Sequence, residues 1–88
     1  RIINLTYRTV RERLVSFLLT MATRFGQETK KGILIDVPLR QQDIASSINS
    51  TRETTSREIS VLERKGLIIA ESSMITLKDL KGLESILE

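Results

Sequence analysis

Val10, Leu14, Phe17, Leu18, Met21 and Phe25 recur at the spacing that lines apolar side chains along one stripe of an α-helix. This stripe predicts a first helix from about Tyr7 to Phe25, with Arg11, Arg13 and Arg24 off the stripe. Its Met and Phe positions read as core packing. Gly26 follows the last stripe residue, where a C-terminal cap favours a residue free to take positive φ. Ile2, Ile3 and Leu5 have no place in the stripe. Residues 1–6 therefore read as the end of an upstream helix or a linker, and 7–88 as one domain. Gln27 to Gly32 is polar and turn-like. Ile33-Leu34-Ile35-Asp36-Val37, bounded by Gly32 and Pro38, reads as a strand. Pro38 cannot donate to a ladder, which predicts an edge position.

A second, short helix is expected from Arg40 to Ile48, with Ile44, Ala45 and Ile48 inward and Gln41, Gln42 and Ser46 outward. Asn49 tolerates the left-handed conformation, so a tight turn to the next helix is expected there. The third helix spans about Arg52 to Lys65. Arg64 and Lys65 suit the negative end of its dipole, and Gly66 suits its cap. Leu67-Ile68-Ile69-Ala70 and Met74-Ile75-Thr76-Leu77 flank Glu71-Ser72-Ser73 and read as a β-hairpin. Leu80, Leu83, Ile86 and Leu87 predict a final short helix, weakened by Gly82. Two helices joined by a tight turn and followed by a hairpin give a mostly α fold with a small β-hairpin, the winged helix-turn-helix.

At about 100° per residue, Arg52, Glu53, Ser56, Arg57 and Ser60 share one polar face of the third helix, while Thr55, Ile59 and Leu62 turn to the core. Long donors separated by small serines suit a helix entering a major groove. Arginine can bind guanine O6 and N7 bidentately, and glutamate can accept from cytosine N4. The helix N-terminus attracts phosphate as well. A second reading involves no DNA. Ser50-Thr51-Arg52-Glu53 fits a capping box with Ser50 as cap and Glu53 reaching back to its amide. Glu53 also suits the positive end of the helix dipole, and Arg52 and Arg57 are explained equally well as solvated surface charge.

Composition narrows the choice of function. The 88 residues include no Cys and no His, which removes disulfides, thiolate or imidazole metal ligation, and Ser-His or Cys-His nucleophile pairs. Asp36, Asp43, Glu53, Glu58 and Glu63 form no evident catalytic pair, so no catalytic residue, metal ligand or cofactor site is assigned. No run approaches the roughly 18 apolar residues needed to cross a bilayer, so no membrane partner is expected. The net charge of +3 and pI near 9.7 suit a partner bearing phosphates. The chain opens on Arg1 and not on Met, as a piece of a longer protein would.

Three motifs carry a resemblance: Leu39-Arg40-Gln41-Gln42-Asp43-Ile44-Ala45, Ser50-Thr51-Arg52-Glu53-Thr54-Thr55-Ser56-Arg57, and Leu62-Glu63-Arg64-Lys65-Gly66-Leu67-Ile68. Together with Ile75-Thr76-Leu77-Lys78-Asp79, they resemble the C-terminal DNA-binding domain of the Crp/Fnr family of bacterial regulators. Arg11 to Leu19, Arg24-Phe25-Gly26 and Gly32 to Asp36 further resemble NtcA-type nitrogen regulators of cyanobacteria and algal plastids. The resemblance implies base reading by Arg52, Glu53 and Arg57, with Ser56 between them. It implies phosphate contacts from Arg40, Gln41 and Gln42, and Thr51 and Thr54 complete the expected phosphate set. It also implies a full-length homodimer on palindromic double-stranded DNA, RNA polymerase as a candidate further partner, and a bacterial cytoplasm or plastid stroma as location.

Three departures from the family pattern carry consequences. Arg40 stands where a small capping hydroxyl is usual, so it leaves amide donors for water or phosphate. NtcA-type proteins typically have Val where this chain has Glu53. Their GTA-type half-site is therefore not carried over, and a GTGA-like site read through its cytosine fits at least as well. The hairpin tip Glu71-Ser72-Ser73 lacks the lysines such wings often offer, so little affinity is expected from it. The alternative function is a winged helix that docks protein without touching DNA, which would need an exposed apolar patch on the third helix or wing.

Overall fold

A computed structural model describes residues 9–88; the readings made for Ile2, Ile3, Leu5 and Tyr7 lie outside them. Helix α1 (Val10–Phe25) starts at Val10, later than its stripe suggested, because Thr9 caps it. The Glu12 amide donates to Thr9 Oγ1 at 3.0 Å, and the Thr9 amide donates back to Glu12 Oε1 at 3.1 Å. This reciprocal box satisfies two of the free donors of the first turn. The middle of α1 is enclosed, burying Val15 and Ser16 beside Leu14, Phe17 and Leu18. Phe25 leaves the stripe: it is 41% exposed, with the Arg24 guanidinium 5.7 Å from its ring centroid.

Gly26 corrects one expectation and explains another residue choice. Its φ of −75° and ψ of 143° are extended, not left-handed. Glycine is required there by close approach, since a Cβ would lie 2.3 Å from the Ala22 carbonyl oxygen and 2.7 Å from Ile33 Cγ2. From Gly26 the chain enters strand β1 (Gly26–Thr29), where a turn was expected, and pairs antiparallel with β2 (Gly32–Ile35). β2 is not an edge strand, for it lies between β1 and β4 in a sheet ordered β1-β2-β4-β3. Pro38 falls beyond the end of β2, so its missing N–H is not needed by either ladder.

α2 (Gln41–Ser47) and α3 (Arg52–Arg64) follow. Asn49 takes φ 57° between them, as its tolerance of that region foretells. The Ser50 amide then reaches back to the Ala45 carbonyl at 2.9 Å, which closes α2 and aims the chain into α3. Beyond the Lys65 cap of α3, Gly66 (φ 76°) turns the chain, with the Leu67 amide on the Leu62 carbonyl at 3.0 Å. The wing is the hairpin of β3 (Ile68–Glu71) and β4 (Met74–Leu77). Ser72 and Ser73 both have positive φ, the primed turn whose twist matches the flanking strands. The hairpin is thus half of a four-stranded sheet, and α4 (Leu80–Ile86), capped by Asp79, closes the domain.

The helices and the inner face of the sheet share one core. Leu14, Leu18, Ile35, Ile44, Ile48, Ile59, Leu62, Leu77 and Leu83 are essentially inaccessible to solvent. Burying each such side chain stabilises by roughly 1.5–3 kcal/mol. α3 contributes Thr55, Ile59 and Leu62 to this core, so its opposite face must point outward. That face is the candidate site.

Candidate functional site

The start of α3 departs from the capping box expected at Ser50. Thr51 is the cap, and its hydroxyl accepts from the Thr54 amide at 3.1 Å. Glu53 is then the second helical residue, one short of the position that can reach back to the cap. Two adjacent capping residue types made the register ambiguous in sequence. The side chains of Glu53 and Arg52 are exposed and make no hydrogen bond or ion pair among the described residues. The DNA-free explanation of Glu53 by a capping box is thereby lost. Its favourable place in the first turn near the positive end of the helix dipole remains.

Arg52, Glu53, Ser56 and Arg57 line one trough of about 570 Å³ along α3, joined by Glu58, Ser60, Val61 and Arg64. Arg57 Nη2 lies 3.5 Å from Thr54 Oγ1, a long contact that leaves Nε and Nη1 without a partner among the described residues. Arg40, Gln41 and Gln42 lie apart from this trough. They line a second cleft of about 430 Å³ between the start of α2, Ser72 and Ser73 of the wing, and Arg52. Arg52 borders both spaces. Arg40 is the N-cap of α2 with extended backbone and no side-chain capping bond, as its chemistry required. The Leu39 amide donates to the Ser73 carbonyl at 2.6 Å, tying the wing tip to the residue before Arg40. Thr51 and Thr54 flank the start of α3, outside both spaces, with Thr54 half-buried.

The outward face is rigidly presented. Counting about 100° per residue from Arg52, Glu58 and Glu63 fall on opposite flanks of α3. Glu58 Oε1 accepts from Arg11 Nε of α1 at 2.7 Å. Glu63 Oε2 accepts from the Ala70 amide of β3 at 3.1 Å. Arg13 Nε donates to the Ile48 carbonyl at 2.9 Å, fixing the end of α2 to α1. Sequence reasoning placed Arg11 and Arg13 only as residues off the α1 stripe. Their partners are 47 and 35 positions away, and no local pattern signals such pairs. Helical spacing alone puts Ser60 on the polar face, whereas the sequence signal at Arg64 is its place at the negative end of the helix dipole.

This arrangement of helices, turn and wing has a match among known families. The model of the Crp-like helix-turn-helix domain matches residues 12–86. The chain belongs to that family. The Crp-like domain is 42% identical over 72 residues to a global nitrogen regulator of a Nostoc strain, covering 82% of this chain and 32% of the relative. The figures are the same for the global nitrogen regulator of Synechococcus elongatus. The chain thus spans about a third of the length of these relatives. Among solved structures it is similar to a CRP-family transcriptional regulator from Thermus thermophilus, with TM-score 0.83, 30% identity, and 94% of this chain and 42% of that one covered. A mutant of CooA from Carboxydothermus hydrogenoformans gives TM-score 0.88 at 27% identity, covering 96% and 39%. The winged helix-turn-helix reading and the likeness to nitrogen regulators both hold, and the proteins named are regulators.

Proposed function

We propose that this Crp-like domain binds double-stranded DNA sequence-specifically, with α3 in the major groove. One observation carries the reading: Arg52, Glu53, Ser56 and Arg57 line one outward trough, and the first two have no partner among the described residues. A helix of this diameter fits the major groove. Arg52 and Arg57 offer bidentate donors for guanine, and Glu53 offers an acceptor for cytosine N4. Ser56 keeps the backbone close enough for these to reach. Arg40, Gln41 and Gln42, with the Thr51 and Thr54 hydroxyls, take phosphates and fix the register. The wing tip has Glu71 and two serines, so it adds little attraction.

Two large apolar side chains are exposed among the described residues, Phe25 and Leu80. Neither lies on α3 or the wing, where protein docking would need a patch. The relatives named as global nitrogen regulators suggest the same role for the longer protein. It would act as a homodimer on a palindromic site in the cytoplasm or plastid stroma, with RNA polymerase as a candidate partner. A gel-shift titration of this chain with random duplex at low salt tests the reading. Salt-dependent binding is expected, and its complete absence would favour docking.

A further inference from the structure

We infer that Arg11, on α1 and outside the helix-turn-helix, is a phosphate contact on the flank of α3 opposite the wing. The inference rests on the DNA-binding reading above. Arg11 gives its Nε–H to Glu58 at 2.7 Å and keeps 39% of its side chain exposed, against 22% for Glu58. An arginine has five N–H donors in a fixed fork. One is used here, and the Nη groups have no partner among the described residues. Glu58 is a wall of the α3 trough, so the Arg11 guanidinium is held at the border of the surface that faces DNA.

Electrostatics gives the pair its purpose. A carboxylate at the edge of a phosphate-binding face repels the ligand unless it is neutralised, and the Arg11–Glu58 pair, only part-buried, contributes modestly to stability by itself. Arg11 covers Glu58 and still presents donors that match the bidentate geometry of phosphate. The Thr9–Glu12 box takes the Glu12 amide of the first turn of α1, and the Arg11 side chain adds charged donors at this end. Arg13, on the same turn, spends its Nε on the Ile48 carbonyl at the end of α2, which fixes this turn beside the start of α3. A major groove runs between two phosphate strands. Arg40 and Gln42 flank α3 on the α2 and wing side, and Arg11 supplies the cation on the other.

The test compares the 88-residue wild-type chain with R11Q and R11K by fluorescence anisotropy on a selected and a random duplex between 50 and 200 mM salt. Losing one phosphate contact lowers the log–log salt slope by roughly 0.9, which over that fourfold range is a factor of about 3.5 in affinity. R11Q should show this shallower slope on both duplexes with base preference intact, and R11K should keep the wild-type slope because the charge remains. A wild-type slope in R11Q overturns the assignment and leaves the DNA reading standing. R11K as shallow as R11Q overturns it too, since the loss would not then follow the charge. A wild-type chain without salt-dependent binding removes the DNA reading itself, and this inference with it.

Discussion

Thr55 offers a test in which a substitution should raise stability. Its side chain is fully buried on the core face of α3, and Oγ1 has no hydrogen-bond partner among the described residues. Leaving a buried hydroxyl unpaired costs about 1–3 kcal/mol. Thr55→Val keeps the β-branched shape, so helix propensity barely changes, and replaces that oxygen with a methyl among Ile59, Leu62 and their neighbours. Rotation of the hydroxyl onto the carbonyl four residues back can recover part of the loss in the native protein. The lower end of the range, about 1 kcal/mol of added stability, is therefore expected. For a domain of this size that raises the melting temperature by roughly 4–8 °C, measurable by circular dichroism. DNA affinity should not move, because Thr55 faces away from the trough. A lower melting temperature would refute the reasoning and show that the hydroxyl has a partner.

Other perturbations separate packing from recognition. Gly26→Ala places a Cβ against the Ala22 carbonyl and the Ile33 side chain; a loss of roughly 1–3 kcal/mol is expected in urea denaturation. Arg52→Ala or Arg57→Ala should cost roughly 1–3 kcal/mol at the cognate site and relax preference at one base pair, read by a base-substitution binding series. Arg40→Ala should weaken all duplexes alike and lower the salt slope by about one, with preference unchanged.

Much of this fold is written in local patterns. The α1 stripe, the Asn49 turn, the Gly66 ending and the two apolar runs of the wing each follow from periodicity or from one residue's conformational freedom. β1 is illegible for a physical reason: Gly26-Gln27-Glu28-Thr29 is exposed along its length, with no apolar alternation. Its strand state comes from pairing with β2 and from the close approach at Gly26. β2 looks like an edge strand in the sequence because Pro38 adjoins its apolar run, although the strand stops at Ile35. The outward α3 residues were legible from helical spacing alone. The cap register was not, because Ser50 and Thr51 are both good caps, and that register decides whether Glu53 is occupied or available. The flanking pairs Arg11–Glu58 and Glu63–Ala70 required the tertiary structure.

The central claim is that the α3 face reads bases, and selection of bound duplexes from a random pool tests it most directly. An enriched half-site should contain G·C pairs, with guanines placed for Arg52 and Arg57 and a cytosine for Glu53. The enrichment should shift at one position when Glu53 is replaced by Val. A bound pool with no enriched sequence, or one left unchanged by that replacement, would contradict the account.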